Sequence, residues 1–429
     1  MPVLGRQSGK KTKINYLAPL RTSLALIILV FNWHNYFALF KLTVDRGTHL
    51  RFNSPEESLR KNGNISTSRI PVRILPNQSF SACLLIMDDN HRIPEWLAYH
   101  YYALPLRHVV IAIDPASHQN PPQIPSRWHQ LMNITIWQDK DYVPMNVVLT
   151  RQPKDTPDQK REKYTQRQGF LHYECSKYFK SLNKTWTTYH DIDEYLTISE
   201  DFFSPNNTRF KTREEFIVST SPIPNRTAFV SQPGFVLRVL RTYLNDQSNL
   251  SSVHDDLSKR CIHVPRAKYG AVESPREMTQ KDVPFYINAD RLDTLRYRYR
   301  TTKRKLDRDG LAKGIIDLSR ISVRDMGIGG LVHRPLPDIC PKNSTYWSYG
   351  HIPLGIKHYL GSYDSFHFRD DANNLRKKWE YWAHSKDVGA DDEIRPWIRG
   401  FCGSVGDTSA LELLEGAGVL PNKMDKSGW

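Results

Sequence analysis

Cysteine is scarce in this chain of 429 residues, which has five: Cys83, Cys175, Cys261, Cys340 and Cys402. No two of them have the CxxC spacing of a zinc site, which argues against a structural zinc. In an oxidising compartment five cysteines allow one or two disulfides and leave at least one thiol unpaired. Because Cys83 lies inside an apolar run, we expect it to be a buried thiol rather than half of a disulfide.

Acidic residues are also in the minority. The chain has 45 Asp and Glu against 60 Lys and Arg, a formal net charge of +15. Such an excess suits anionic partners, including phosphates, nucleic acid and anionic lipid. The basic residues are dispersed, apart from clusters such as 296–308, and no nucleic-acid-binding motif accompanies them. We therefore expect no nucleic-acid partner.

Long apolar runs are equally scarce, since only residues 22–40 approach the ~20 apolar residues that a spanning helix needs. Basic residues precede this run and would hold the N-terminus in the cytoplasm, with the bulk of the chain in the lumen. No clear small-x-small site follows, which favours an uncleaved signal anchor over a cleaved signal peptide. Eight Asn-x-Ser/Thr sequons agree with a luminal location.

The rest of the chain has no internal repeat and no low-complexity tract. Residues 41–76 are polar and aperiodic, which is typical of a flexible stem. The length that remains suits one large catalytic domain with a sizeable core. We expect a cytoplasmic tail at 1–21, an anchor at 22–40, the stem, a catalytic domain at 77–415 and a C-terminal tail at 416–429.

The predicted catalytic domain opens as strand, helix, strand, strand, at 81–88, 94–103, 108–114 and 133–137. The strands are short apolar runs, as in a sheet that is buried on both faces. This pattern predicts an open α/β sheet, whose ligand crevice lies at the carboxyl ends of its strands. Asp88, Asp89 and Asp114 stand at such ends. For each of them alone, a loop carboxylate or a helix cap is the alternative interpretation.

Further along the chain, the spacing predicts an amphipathic helix over 166–180, with Phe170, Tyr173 and Tyr178 facing the sheet. A strand is predicted over 186–190. Short strands are also predicted at 228–230 and 234–240, where the apolar runs are brief. This second part of the domain is more mixed than the first.

Two carboxylates one residue apart, Asp191 and Asp193, follow the predicted strand at 186–190 directly. A hard divalent cation such as Mg²⁺ or Mn²⁺ takes oxygen ligands and keeps positions open for phosphate oxygens. An EF-hand is excluded because Leu196 and Phe202 occupy the positions of its Gly and Glu. A phosphatase with an Asp nucleophile is disfavoured by Tyr195. A solvated acidic turn stays open as the alternative to a metal site.

The segment from Trp186 to Leu196 resembles the Asp-x-Asp-Glu-aromatic element of glycosyltransferase family 92 and its algal and fungal relatives. Other blocks similar to that family follow in one order from residue 81 to about 410, at 83–100, 108–114, 167–175, 260–274, 315–320, 332–333 and 357–366. The chain departs from the family's pattern at Gly314, where relatives tend to carry Ser or Cys. It also departs at Asp88-Asp89-Asn90, where many members have an Asn/Arg-Glu pair.

The resemblance implies a GT-A-type fold, an open mixed sheet with helices on both faces that merges a nucleotide-binding half with an acceptor-binding half. It implies an inverting transfer of a hexose, often galactose, from a UDP-sugar to a glycan acceptor, assisted by Mn²⁺ or Mg²⁺. The expected location is the Golgi membrane, with a single span, type II topology and a luminal catalytic domain. A catalytically inactive carbohydrate-binding protein on the same fold and a metal-dependent hydrolase are the alternatives.

The resemblance also implies roles for individual residues. Asp191 and Asp193 face the metal and the donor diphosphate, and Asp193 is the expected direct ligand. His358 is the candidate third ligand, with a structural or surface histidine as the alternative. Three further residues are candidate donor contacts: Asp114 for the uracil or ribose, and either Lys357 or Arg320 for a phosphate.

Inversion needs a carboxylate that takes the proton of the acceptor hydroxyl while the anomeric carbon is attacked from the opposite face. Glu273 and Asp364 are the candidate bases. The sequence supplies no distance from either residue to an acceptor, so both stay open.

Overall fold

The computed structural model describes residues 79–119, 123–199, 229–241, 261–269, 273–281, 283–300, 312–326, 353–368, 389–390 and 394–420. The predicted cytoplasmic tail, membrane anchor and stem lie outside the described residues, so these boundaries stay predictions. Among the helices that the structure describes, none combines the length and the apolar character that crossing a bilayer requires.

Strands and helices alternate in the first half of the described chain. In order, they are β1 (Phe80–Ile86), α1 (Ile93–Ala103), β2 (Leu106–Ile113), α2 (Gln123–Trp128), β3 (Asn133–Trp137), α3 (Asp139–Tyr142), α4 (Pro157–Ser181), β4 (Trp186–Thr188) and β5 (Glu194–Ile198). The predicted three strands and first helix are therefore confirmed, but a short helix that the sequence analysis did not predict, α2, lies between β2 and β3.

The second half contains shorter elements. They are β6 (Cys261–Val264), β7 (Arg266–Tyr269), α5 (Arg276–Thr279), α6 (Asp293–Arg296), β8 (Tyr299–Arg300), β9 (Lys313–Asp317), β10 (Leu354–Tyr359), α7 (Tyr363–Phe368), β11 (Gly389–Ala390), α8 (Trp397–Val405) and α9 (Asp407–Leu413). Short 3₁₀ turns at Ala289–Arg291, Leu318–Arg320 and Val323–Asp325 connect some of them.

The described strands form two sheets. The larger one has six strands in the order β3-β2-β1-β4-β9-β6. Strands β3, β2, β1 and β4 run parallel, whereas β9 is antiparallel to both β4 and β6. The protein is therefore a mixed α/β protein with a mixed sheet, as the sequence predicts.

The strand order of the larger sheet reverses beside β1. The chain adds β2 and then β3 on one side of β1, and β4 pairs with its other side. In open α/β sheets, ligands bind outside the carboxyl ends of the strands at such a reversal. The crevice between the ends of β1 and β4 is therefore the expected ligand position.

The smaller sheet has five strands in the order β11-β8-β7-β10-β5, with β10 parallel to β7 and antiparallel to β5. Strand β4 belongs to the larger sheet, and β5 to the smaller one. The segment between them, residues 189–193, carries the chain from one sheet to the other. Asp191 and Asp193 thus lie where the two sheets are joined.

Helix α4 is longer than predicted, because Thr156 caps it and exchanges hydrogen bonds with Gln159 in a capping box. Its buried face carries Leu171, Cys175 and Phe179, spaced four residues apart. The sequence analysis predicted that a different face of this helix would point toward the sheet. Phe170, Tyr173 and Tyr178 are only partly buried and pack beside the core.

The predicted strands at 228–230 and 234–240 are wrong, since residues 229–230 and 235–241 are helical. Gly234 adopts a positive φ of 70°, and its carbonyl accepts the first helical hydrogen bond, from Arg238. Val236 and Val239 are buried as the strand interpretation required. A short run that is buried on all sides has no periodicity that separates a strand from a helix.

The prediction for Cys83 is also wrong, because a disulfide joins Cys83 in β1 to Cys175 in α4. Helix α4 packs on the sheet face from which the Cys83 side chain emerges, and the two Cα atoms lie 6.2 Å apart. Cys261 is disulfide-bonded as well, whereas Cys402 is a buried free thiol. The expectation of one or two disulfides and a leftover thiol is confirmed.

Replacing Cys83 and Cys175 together by alanine should lower the free energy of unfolding by about 2–5 kcal/mol, because the bridge closes a long loop in the unfolded chain. Urea unfolding measures this loss. Cys402→Ala is the matched control, since it removes a buried sulfur without removing a bridge, and it should cost less. Equal losses in the two variants would contradict a stabilising role for the disulfide.

Candidate functional site

Three acidic residues stand at the carboxyl edge of adjacent parallel strands. Asp88 follows β1, Asp114 follows β2 directly, and Asp191 follows β4. Because these strands are neighbours in the order β2-β1-β4, the three residues share one edge of the larger sheet. The sequence-based expectation that acids line this edge is confirmed.

The Asp191 carboxylate is the most accessible acidic group of the motif, with 38% of its side chain exposed. It lies in a tight turn that is closed by a hydrogen bond from the Glu194 amide to the Asp191 carbonyl. One of its oxygens lies 2.7 Å from Nζ of Lys313. Asp191 is therefore held by a cation on one side and faces solvent on the other.

Lys313 belongs to a buried group of charges that includes Glu194 and Arg266. Oε2 of Glu194 lies 3.2 Å from Nζ of Lys313, and Oε1 accepts a hydrogen bond of 2.8 Å from Arg266. Burial alone would raise the pKa of Glu194, but Lys313, Arg266 and His358 outweigh it and hold the pKa below its usual value. Glu194 is therefore an ionised carboxylate inside the protein.

Asp193 is buried and lies beside a histidine from the smaller sheet. Its Oδ2 atom is 3.3 Å from Nε2 of His358. The antiparallel pairing of β10 with β5 creates this contact, because it places His358 opposite Glu194, the residue after Asp193. The structure thus brings together two of the three predicted metal ligands, from positions more than 160 residues apart in the sequence.

Arg92 holds this pair in place from the other side. Its guanidinium lies 3.4 Å from Oδ2 of Asp193 and donates to the carbonyl oxygens of Tyr359 and Leu360, directly after His358. It also donates to Oγ of Ser365 in α7. One buried arginine therefore fixes the end of β10, the start of α7 and the Asp193 carboxylate.

The Asp193–His358 contact fits a shared divalent cation. Two ligands of a six-coordinate ion that are ~2.1 Å from it and at right angles lie ~3 Å apart, close to the 3.3 Å seen here. Asp191 is held by Lys313 instead. Among the residues that the structure describes, no group of three or more His, Cys, Asp or Glu side chains has a metal-holding arrangement. The remaining ligands would come from water or phosphate.

Asp114 is buried and lies between two arginines. Its Oδ2 is 3.3 Å from Arg167 and 3.5 Å from Arg151, and its Oδ1 accepts the Ala116 amide. Arg167 also pairs with both oxygens of Asp139 in α3. Asp114 thus stands at the predicted edge, where it anchors the loops that flank the crevice.

Lys357 and Arg320 are not brought to this edge. Lys357 neighbours His358 on β10, so its side chain leaves the opposite face of the strand, where it lies 5.1 Å from the ring centre of Tyr269. Arg320 follows β9, whose last residue pairs with Trp186 at the start of β4. Arg320 therefore lies at the edge of the sheet where β4 begins, whereas Asp191 follows the end of β4. Neither Lys357 nor Arg320 belongs to the candidate site.

The two candidate bases differ in their surroundings. Asp364 is exposed and lies on α7 beside Ser365, which contacts Arg92 next to the Asp193–His358 pair. Glu273 is about half exposed and pairs with Arg296. The placement on α7 favours Asp364, and the assignment of a base stays a prediction.

Sequence reasoning missed the cations of the site, Arg92, Arg266 and Lys313. Arg92 directly precedes α1, which the sequence analysis predicts, whereas Arg266 and Lys313 begin β7 and β9, for which it predicts no strands. Lysine and arginine are rarely buried without a partner. The sequence does not say which cations are buried or which acids they meet.

Replacing Lys313 by methionine should lower the free energy of unfolding by about 3–5 kcal/mol, because Glu194 then stays buried with one counter-charge fewer. Urea unfolding tests this change. Lys177→Met is the matched control, because the Lys177–Glu174 pair is solvent-exposed, and it should cost about 0–1 kcal/mol. A loss below 1 kcal/mol for Lys313→Met would show that the buried group is not held together by this lysine.

Two buried histidines should make stability fall in acid. Burial, and then Lys313, lower the pKa of His172 to about 3 and hold that of His190 well below 6.5. The unfolded chain binds these protons more readily, so stability is present above pH 6.5 and is lost as the pH falls toward the folded-state values.

The test compares the wild type with His172→Phe, which keeps a ring against Tyr189, in thermal unfolding between pH 7.5 and 4.5. The variant should lose less stability on acidification, by about 2 kcal/mol at pH 4.5. Burial and the nearby Asp293 raise the pKa of Glu95 to about 7, so Glu95 makes the protein more stable as the pH falls. This contribution is the same in the wild type and the variant and cancels when the two are compared. Parallel pH profiles would contradict the assignment.

Comparison with known proteins supplies no identity. No family's sequence model matches this chain, and no curated protein sequence matches it. The resemblance to glycosyltransferase family 92 therefore stays a prediction from the ordered sequence blocks.

Proposed function

We propose that this protein is a metal-dependent glycosyltransferase that uses a nucleotide-sugar donor. The observation that carries the proposal is the contact of 3.3 Å between Asp193 and His358, formed at the junction of the two sheets beside the accessible carboxylate of Asp191. A carboxylate and an imidazole at this spacing suit Mn²⁺ or Mg²⁺. Asp191 follows β4, which borders the strand-order reversal of the larger sheet, and α/β sheets bind ligands beside such a reversal.

In this proposal, Asp193 and His358 hold the cation, and Asp191 lies at the rim. When bound, the metal supplies positive charge that stabilises the departing nucleoside diphosphate. Nζ of Lys313 lies 2.7 Å from Oδ2 of Asp191 and keeps that carboxylate oriented. Arg92 holds the Asp193 carboxylate in place, so the ligand pair is pre-arranged before substrate binds.

Transfer with inversion then needs one proton acceptor. The acceptor hydroxyl gives its proton to a carboxylate as its oxygen bonds to the anomeric carbon, and the bond from that carbon to the phosphate oxygen breaks with its electron pair. We assign this role to Asp364 in preference to Glu273. Asp364 is exposed on α7, the helix that Arg92 fastens beside the metal-ligand pair.

The finer parts of the proposal are a GT-A-type fold, a UDP-hexose donor such as UDP-galactose, and a glycan acceptor. The mixed sheet of parallel and antiparallel strands supports the first part. We also propose a single-pass type II protein of the Golgi membrane with a luminal catalytic domain. The Cys83–Cys175 disulfide supports the luminal location of the catalytic domain, because disulfides persist in oxidising compartments.

Asp193→Asn should reduce Mn²⁺-dependent transfer at least 100-fold, because the amide keeps the shape of the side chain but ligates a hard cation poorly. The measurement is consumption of donor by the purified full-length protein, across a panel of UDP- and GDP-sugars with and without a glycan acceptor. Asp158→Asn is the matched control, since Asp158 is an exposed acid on α4. Its activity should equal that of the wild type.

Each alternative function predicts a different result in the same panel. A metal-dependent hydrolase would consume donor at equal rates with and without acceptor. A carbohydrate-binding protein would be stabilised by UDP and Mn²⁺ and release no sugar from any donor. Full transfer activity in a folded Asp193→Asn variant would refute the metal role of this residue.

A further inference from the structure

A histidine that the sequence does not single out lies at the same edge of the larger sheet. His118 follows β2, and its Nδ1 atom is 3.2 Å from Oδ2 of Asp88, the residue at the end of β1. The histidine side chain is 56% exposed, whereas the aspartate is buried. A buried carboxylate therefore orients an imidazole whose other nitrogen is accessible.

Asp88 is built into this position. Its Oδ1 accepts hydrogen bonds from the His118 amide, at 2.7 Å, and from Oγ of Ser117, at 3.2 Å. Its own amide donates to the same Ser117 oxygen. Asp88 also has a φ of 57°, in the left-handed region that residues with a side chain rarely adopt. Backbone strain of this kind concentrates at functional sites.

The contact defines which proton the ring carries. A carboxylate only accepts hydrogen bonds, so Nδ1 of His118 must carry the hydrogen. In the neutral imidazole, Nε2 is then an acceptor. The pair lies at the ends of β1 and β2, next to the strand-order reversal between β1 and β4. The exposed ring thus carries one oriented hydrogen-bond acceptor at this edge of the sheet.

We propose that Asp88 and His118 select the base of the donor nucleotide, with Nε2 of His118 accepting a hydrogen bond from a ring N–H. This inference rests on the proposed function and adds a specificity-determining residue to it. Uracil carries such a donor at N3, whereas cytosine has an unprotonated N3 at the same position. A site with a fixed acceptor favours uracil, because with cytosine the base N3 and Nε2 of His118 would be two acceptors facing each other.

The test measures dissociation constants of UDP and CDP by titration calorimetry on the full-length protein, with Mn²⁺ and at pH 8, where free imidazole is neutral. The wild type should bind UDP at least ~10-fold more tightly than CDP, as one hydrogen bond allows. His118→Ala should remove most of this preference. UDP methylated at N3 should bind the wild type no better than CDP.

The Asp88→Asn variant separates base selection from a structural role more clearly than His118→Ala does. Asparagine tolerates a positive φ, and its Oδ1 can still accept from the His118 amide. Its amide nitrogen would donate to Nδ1 of His118 and move the ring proton to Nε2. The acceptor becomes a donor, and the preference should reverse toward CDP. A merely structural role for Asp88 would weaken both nucleotides alike.

Asp193→Asn separates this inference from the proposed function. It should raise the dissociation constants of UDP and CDP by the same factor, because it acts on the metal and the diphosphate that both nucleotides share. The ratio of the two constants should stay unchanged. If the wild type prefers UDP and that preference survives in both His118→Ala and Asp88→Asn, the inference is overturned while the transferase proposal stands. If the wild type binds neither UDP nor CDP, the inference is overturned together with the UDP-sugar donor, whereas the transferase proposal is decided by the sugar-transfer panel.

Discussion

The ionised carboxylate of Glu194 lies inside the protein, and the junction of the two sheets depends on it. Glu194 begins β5, while its partners Lys313 and Arg266 begin β9 and β7. The three residues thus tie three strand starts from both sheets to one point. Removing a charged pair from water costs several kcal/mol per ion unless partners and hydrogen bonds compensate. Here they do, since Glu194 accepts from Arg266 and from the Asp191 amide and forms an ion pair with Lys313.

Because that point is fixed, the acids of the motif face different ways. The turn from Asp191 to Glu194 is too short to relax independently, so anchoring Glu194 also places the two aspartates. Asp191 is left at the solvent side of Lys313, and Asp193 is directed toward His358 and Arg92. The two aspartates thus have different surroundings, one accessible and one buried beside His358, because the salt-bridged Glu194 fixes the turn that carries them.

The charges also explain why so many cations surround a candidate metal site. Lys313, Arg266 and Arg92 pair with Asp191, Glu194 and Asp193, so each acid of the motif has a cationic partner. Without these partners, three acids in a turn would repel one another at a cost set by the low dielectric of the interior. Arg92 also donates to the carbonyl oxygens of Tyr359 and Leu360 at the end of β10. The same arginine therefore links the Asp193 carboxylate to the strand that carries His358.

From the sequence alone, the apolar runs that end in acids determined strands β1 and β2, helix α1 and the position of Asp88, Asp114 and Asp191 at one sheet edge. Local patterns suffice for this, because burial on both faces and strand ends are encoded in adjacent residues. Only the tertiary structure decided that residues 235–241 are helical, that Cys83 bonds Cys175, that Arg320 lies at the wrong edge, and that His358 meets Asp193. Those outcomes depend on strand order and register between distant segments, for which a single sequence carries no local signal.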